Sequence, residues 1–254
     1  MRHMIYPMPA VAVPPPPASL HEVALSTSRG DRAIVWHAPG PEGAPLVLFF
    51  HGNGENLETM RLVGLFEDAA RLRAPVAALD YPGYGRSSGQ PSEAANLAAA
   101  EAALDWAVGE APGRPVVVCG WSLGAAVALE LAGRRPADIA GVIALSPWTS
   151  LTEVARVHFP AWLVRLALGE RYDSLAASER MRATPALVIH GAEDDLIPAA
   201  HGQQVAERLR ARLLLVPGAG HNDLLARPEV WREMADFIAA LSAMSPDPRL
   251  APEG

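Results

Sequence analysis

The residues best suited to chemistry are a serine set between two glycines and, much further along the chain, a group of acids and a histidine. The segment 120–124 (GWSLG) follows an apolar run and precedes an alanine-rich stretch, a pattern that predicts a strand, a sharp turn and a helix. Such a turn exposes the serine hydroxyl at a helix N-terminus, and its glycines avoid collisions between strand and helix. The sequence therefore predicts Ser122 as a nucleophile, with the backbone amide of Leu123 as an oxyanion donor.

A serine hydroxyl is a poor nucleophile until a base removes its proton, so the downstream residues decide this interpretation. The strand-like run 185–190 leads into a loop with three adjacent acids, Glu193, Asp194 and Asp195. The next such run, 212–216, leads into a glycine-rich loop that contains His221. The order serine, acid, histidine is typical of hydrolases built on this kind of turn, and the pattern alone leaves all three acids as candidates.

Alternating strands and helices must position these loops. An antiparallel edge pair is predicted at residues 21–26 and 32–37, and further strands at 46–50, 76–79, 115–119, 139–145, 185–190 and 212–216. Helices are predicted at 57–71, 92–108, directly after the serine turn, at 200–209 and at 229–241. Apolar strands that alternate with helices predict an α/β fold with a mostly parallel sheet covered on both faces. The serine, acid and histidine then all lie at the carboxyl ends of strands, where such folds bind ligands.

In these motifs the chain resembles the α/β-hydrolase superfamily, and within it the serine aminopeptidase-like and Bem46-like group. Six segments carry the resemblance, in the order that the family has them: 50–56, 80–89, 120–124, 146–151, 190–198 and 217–221. The resemblance implies the α/β-hydrolase fold, and through the family's Gly-x-x-Asp spacing it selects Asp194 as the acid. It also implies that the amide of Asn53 is the second oxyanion donor.

An insertion at residues 148–182 is expected to form a small cap over the pocket. Its run 159–168 is apolar nearly all round, which fits a helix buried against the sheet domain, an acyl-binding lid or a surface for a membrane or partner. If the cap is a lid, the predicted substrate-binding side chains are Trp148, Phe159, Trp162, Leu163 and Leu166.

The composition is that of a single enzyme domain. The chain has 254 residues, of which 50% are hydrophobic, and a net charge of −7, which gives no basic footprint for nucleic acid. We predict a Pro-rich arm at 1–19, a hydrolase domain at 20–243 and a disordered tail at 244–254. No apolar run approaches the roughly 20 residues of a transmembrane helix. The lone Cys119 suits a reducing compartment, so we predict a cytoplasmic location.

Other kinds of site find little support in the motifs. The chain has no His-Glu-x-x-His or Cys-x-x-Cys pair for a metal, and its glycine-rich loops at 51–54 and 83–85 lack the remaining residues of nucleotide-binding motifs. We therefore expect neither metal nor cofactor. The sequence predicts a serine hydrolase that cleaves the ester or thioester of a small-molecule acyl substrate through an acyl-enzyme, and it specifies no oligomeric state. A peptidase using the same triad and a non-catalytic ligand-binding or scaffold protein are the alternatives.

Overall fold

One eight-stranded sheet organises the chain in the computed structural model, which describes residues 5–167, 169–181 and 183–244, without the side chains of 165–167 and 244. Its strands follow one another in space in the order β1-β2-β4-β3-β5-β6-β7-β8. Their bounds are β1 His21–Ser26, β2 Arg32–Ala38, β3 Leu46–Phe50, β4 Val76–Asp80, β5 Val116–Trp121, β6 Gly141–Leu145, β7 Ala186–Gly191 and β8 Arg212–Val216. Strand β2 pairs antiparallel with β1 and β4, and all other neighbours are parallel, as predicted for an α/β-hydrolase fold.

Helices connect the strands and cover both faces of the sheet. Their bounds are α1 Leu57–Leu62, α2 Leu65–Ala69, α3 Glu93–Glu110, α4 Leu123–Arg134, α5 Leu151–His158, α6 Ala161–Ala167, α7 Ser174–Arg180, α8 Ala199–Leu209 and α9 Pro228–Met244. Side chains of α3, α4 and α8 form one apolar core with one face of the sheet. Side chains of α1, α2 and α9 form the second core on the other face. Because every residue of β3 to β6 is buried between these layers, the central strands are apolar throughout.

Two segments differ from the sequence predictions. The single helix predicted at 57–71 is broken at Gly64, whose φ of +86° a helix cannot contain, so α1 and α2 are separate and a 3₁₀ turn follows them. Within the expected cap at 148–182, α5 and α6 lie beside the site, and we call this pair the cap. Helix α7 instead packs on α4, where Arg180 forms an ion pair with Glu130 at 2.6 Å.

Part of the predicted Pro-rich arm packs onto the sheet domain. The Tyr6 side chain is buried, with 1% of its surface exposed, and belongs to the core shared by α3, α4 and α8. Residues 1–4 of the arm and 245–254 of the predicted tail lie outside the described residues. The backbone of Met244 closes α9.

Candidate active site

Ser122 lies in a sharp turn between β5 and α4. Its φ of +56° is in the left-handed region, which non-glycine residues rarely adopt, and helix α4 begins at the next residue. A Cβ on Gly120 would overlap the backbone of Gly124, and a Cβ on Gly124 would overlap the carbonyl of Phe50. The two glycines therefore allow strand, turn and helix to meet, and the strained turn presents the serine hydroxyl at the carboxyl edge of the sheet.

His221 joins this serine to an acid. Its Nε2 is 3.0 Å from the Ser122 Oγ, and its Nδ1 is 2.8 Å from Asp194 Oδ2. All three residues are buried, and they come from the ends of β5, β7 and β8. With Nδ1 protonated toward Asp194, Nε2 has a lone pair that can accept the serine proton.

Asp194 is the acid of the three that the structure brings to the histidine, because Glu193 and Asp195 are exposed to solvent. Its Oδ1 accepts hydrogen bonds from the amides of Ile197 and Leu196, at 2.7 and 3.1 Å. Burial by itself raises the pKa of this carboxyl, but the hydrogen bonds from its two histidine neighbours and the Ile197 amide outweigh it. The pKa of Asp194 is consequently well below its usual range, and the group is a carboxylate.

His190 is a second histidine beside Asp194 that the sequence analysis did not assign to the site. Its Nε2 lies 3.4 Å from Asp194 Oδ2 and donates to the Ile197 carbonyl at 2.8 Å. Residues 191–198 form a loop that we call the acid loop. Both backbone polar groups of Ile197 in this loop have a side-chain partner, because its amide donates to Asp194 and its carbonyl accepts from His190. The spacing of a histidine four residues before the acid is the signal that could have identified it.

Both residues predicted to supply oxyanion donors line the same cavity as Ser122. Leu123 is the first residue of α4, and Asn53 lies in the oxyanion loop, residues 51–56, which connects β3 to α1. The Asn53 side chain is held at both ends, because its Oδ1 accepts from the Tyr84 hydroxyl at 2.9 Å and its Nδ2 donates to the Ile5 carbonyl at 2.5 Å. At the start of this loop His51 is buried, and its Nδ1 lies 2.8 Å from the Gly52 carbonyl oxygen.

A largely apolar cavity of about 500 Å³ opens onto the serine. The predicted substrate-binding residues Trp148, Phe159 and Leu163 line it, together with Ser122 and Asn53. The sequence analysis missed several further apolar residues of this wall, namely Ile5, Leu151, Val154, Ala155, Val164, Leu196 and Ile197. The cavity size is within the range of small-molecule sites.

Two predicted substrate-binding residues have a different outcome. Trp162 is not among the residues that line the cavity, and 69% of its surface is exposed, so the structure does not bring it together with the other predicted substrate-binding residues. The side chain of Leu166 lies outside the described residues. The described part of α6 differs from the helix buried against the sheet domain that was one alternative for this segment, because Trp162 and Leu163 are exposed and only Val164 is buried. A run that is apolar nearly all round carries little signal for which face of a helix turns inward.

Three further side chains that could take part in chemistry, those of Cys119, His158 and His201, do not contact the proposed triad residues through the hydrogen bonds described for them. Cys119 is completely buried below the serine turn, and this burial raises the pKa of its thiol, so it is held as the neutral thiol. His158, at the end of α5, lies with Nε2 2.7 Å from the Leu196 carbonyl and so connects the cap to the acid loop. His201 Nδ1 lies 2.9 Å from the Thr149 hydroxyl.

The described residues do not form a candidate metal site of three or more ligands. Among those residues, no three His, Cys, Asp or Glu side chains are grouped so that they could bind a metal ion.

Over the described ranges, none of the helices combines the length and the apolar content needed to cross a bilayer.

Comparisons with known proteins agree with this architecture. The family model for the alpha/beta hydrolase fold matches residues 45–178. The protein Rv2307c of Mycobacterium tuberculosis is 38% identical over 252 residues, with 93% of this chain and 85% of that protein covered. Human alpha/beta hydrolase domain-containing protein 17B is 33% identical over 223 residues, with 84% and 73% covered. The structure of the esterase Pf2001 of Pyrococcus furiosus shares the fold, with a TM-score of 0.75 and 20% identity over 92% of this chain and 99% of that one.

Proposed function

Since this chain belongs to the α/β-hydrolase family, we propose that it is a serine hydrolase that cleaves an ester or thioester through an acyl-enzyme. One observation carries the proposal: the hydrogen-bonded chain Ser122, His221, Asp194 opens into an apolar cavity. A nucleophile, a base and an oriented carboxylate in that order are what acyl transfer to a serine requires.

In the proposed reaction the Ser122 Oγ attacks the substrate carbonyl carbon while His221 Nε2 takes the hydroxyl proton. The carbonyl oxygen becomes an oxyanion, which the amides of Leu123 and Asn53 stabilise. His221 then gives the proton to the leaving alcohol or thiol, and the serine is left as an acyl ester. Water, deprotonated by the same histidine, attacks this ester. The bond to the Ser122 Oγ then breaks as His221 returns the proton to that oxygen, and the carboxylic acid is released.

The cavity favours an acyl group over an aminoacyl group as the part of the substrate that it binds. Most of the residues that line it are aliphatic or aromatic, and none of the described lining residues is acidic. A peptidase that recognises a free amino terminus needs a carboxylate to pair with the ammonium group, because an unpaired charge is costly to bury. We therefore propose the ester or thioester of a small-molecule acyl compound, rather than a peptide, as the substrate.

We also propose that the protein acts in the cytoplasm. This part of the proposal rests on Cys119, which is the single cysteine of the chain and therefore cannot form an internal disulfide. A fold that needs no disulfide suits a reducing compartment.

Covalent labelling tests the proposal directly. A fluorophosphonate should phosphonylate Ser122, and mass spectrometry of the digested protein should find the adduct on that residue. The matched control is Ser146→Ala, because Ser146 is also buried, also has a positive φ of 44°, and lies at the end of the neighbouring strand. Ser122→Ala should abolish labelling and Ser146→Ala should retain it. A folded wild-type protein that takes up no label would identify the triad as non-catalytic and favour a binding or scaffold role.

A further inference from the structure

A segment near the N-terminus grips the oxyanion loop. This segment, residues 5–13, is called here the N-terminal strap. Both asparagines of the loop donate their side-chain N–H groups to strap carbonyls: Asn53 to Ile5 at 2.5 Å and Asn56 to Val11 at 2.8 Å. Between them, a Cβ added to Gly54 would lie 3.7 Å from the Pro7 ring, so the strap also packs on the middle of the loop. The loop is thus fixed from outside at three of its six residues.

The strap is itself anchored by Tyr6. The Tyr6 ring is buried in the core, and its hydroxyl lies 2.8 Å from that of Tyr172. The Tyr172 hydroxyl also accepts from Asn96 Nδ2 at 3.1 Å, and its backbone carbonyl accepts from the Trp148 indole at 3.1 Å. Because Trp148 lines the cavity, this anchor connects the strap with the cavity wall as well as with the core.

Ile5 brings the strap into the site. Its carbonyl accepts the hydrogen bond from the Asn53 side chain, and the residue also lines the cavity that opens onto Ser122. One residue of the strap therefore touches both the loop that carries an oxyanion amide and the space proposed for the acyl group.

From these contacts we infer that the N-terminal strap is a positioning element of the active site, which holds the Asn53 amide in place for the oxyanion and supplies part of the acyl-binding wall. The inference rests on the proposed function. Oxyanion donors act because they are held in place before charge develops, and loss of one donor lowers kcat by about 10² to 10³. A released strap leaves the donor present but mobile, so we expect a smaller loss, of at least about tenfold.

The first test releases the strap in the full-length protein through Tyr6→Ala. We expect kcat on an acetyl ester to fall at least about tenfold while KM changes less than about twofold, since the amide acts on the oxyanion more than on the bound ester. Affinity for a trifluoromethyl ketone, which forms a tetrahedral adduct with Ser122, should fall by the same factor as kcat/KM. A merely structural defect would not produce this parallel loss.

The control for general destabilisation is Leu241→Ala. Leu241 is a buried residue of α9 that packs on Gly141, at the start of β6 and therefore at the opposite end of the sheet from the site. This variant should lower the melting temperature and leave kcat and the ketone affinity unchanged. If Tyr6→Ala loses stability but keeps kcat and ketone affinity, the inference is overturned.

A second variant avoids the cavity that Tyr6→Ala creates. Asn53 is exposed, so Asn53→Ala should leave the fold intact while removing the side-chain hydrogen bonds to the strap and to the Tyr84 hydroxyl, and it should reproduce the loss of kcat and of ketone affinity. In the double variant, Tyr6→Ala should add less than about twofold to the effect of Asn53→Ala, because both changes break the same connection. Losses that multiply would show that the strap does not act through Asn53 and would overturn the inference.

The two proposals fail in different ways. If the wild-type protein shows no Ser122-dependent ester cleavage and forms no ketone adduct, the proposed function fails and the strap has no oxyanion to serve. If the wild type is active and both Tyr6→Ala and Asn53→Ala retain its kcat, the strap inference fails alone.

Discussion

The loops that carry the proposed triad and the cap lie at the same end of the sheet but are held in different ways. Ser122, Asp194 and His221 are buried, and each is oriented by hydrogen bonds between 2.7 and 3.1 Å. Among the described residues, one hydrogen bond, from His158 to the Leu196 carbonyl, connects the cap to the acid loop. Trp162 of α6 and Phe159, which lies between the two cap helices, are exposed to solvent. Directional hydrogen bonds hold the residues of the proposed triad, whereas non-directional apolar contacts form the wall of the cavity. Changes in the loops should therefore alter the rate for every substrate, and changes in the cap should alter the choice among substrates.

The largest expected effect comes from the nucleophile. Ser122→Ala should lower kcat by about 10⁴ to 10⁶ on the best ester, because the three triad residues act as a unit. The melting temperature should change little, since alanine keeps the same backbone and only one hydroxyl is lost. Steady-state kinetics and a thermal melt check both points. Near-normal turnover by a folded Ser122→Ala protein would remove this residue from the mechanism.

The second-largest effect is expected from a change to the acid, Asp194. Asp194→Asn should lower kcat/KM by about 10⁴, because an amide can donate to His221 Nδ1 and thereby favour the tautomer that cannot accept the serine proton. Asp195→Asn is the matched control, since Asp195 is the adjacent residue, has the same side chain and is exposed. It should keep most of the activity. The reverse ranking of the two variants would move the assignment by one residue.

His190 should have an intermediate effect as a positioning residue. His190→Leu removes the donor to the Ile197 carbonyl and should lower kcat/KM by up to about 10², because small displacements of catalytic groups have effects of this order. His190→Gln, which retains an N–H donor at a similar reach, should restore most of the activity. If both variants are equally impaired, loss of packing rather than of the hydrogen bond explains the result.

Asp194 also predicts how stability depends on pH. Its pKa is lower in the folded protein than the value of about 3.9 expected when unfolded, so its ionisation stabilises the fold above that pH. The stabilisation should disappear as the pH falls through about 4 toward the folded pKa. Denaturant unfolding at pH 7 and pH 3 should therefore show that the stability difference between wild type and Asp194→Asn narrows at the lower pH. A difference that stays constant would contradict this linkage.

The contrast between the hydrogen-bonded loops and the apolar cap also bears on what could be predicted from the sequence. The Ser122 turn, the two later loops and the strands that carry them are local patterns, and their order along the chain is enough to bring them to one sheet edge. Choosing Asp194 required the family's spacing, because three adjacent acids are chemically equivalent in the sequence. The structure supplies the physical reason for that choice, since it buries Asp194 and leaves its neighbours exposed.

The parts that sequence could not predict depend on contacts between distant segments. Ile5 reaches Asn53 across 48 residues through a Pro-rich segment that has no periodicity to fix its path. His190 lies near the end of the core strand β7, where its strand context gives no sign of a role in the site. Only the folded acid loop brings Asp194 against it. The sequence does not separate Trp162 from Leu163, because the rotation of a short and nearly all-apolar helix cannot be read from its composition.

The smallest expected effect concerns the cap. Each methylene that the cavity buries contributes about 0.8 kcal/mol, so kcat/KM should rise several-fold per added methylene until the space is full. Leu163 lines the cavity and is expected to contribute to that slope, whereas Trp162 lies outside it. Leu163→Ala should therefore flatten the dependence on chain length while sparing acetyl esters, and Trp162→Ala, a neighbouring change on the same helix, should leave the dependence as it is. Kinetics on esters from acetyl to octanoyl, with thermal melts of both variants, measure this. Equal losses for all chain lengths in Leu163→Ala would show that the cap acts only as packing, and a flattened slope in Trp162→Ala would return that side chain to the substrate wall.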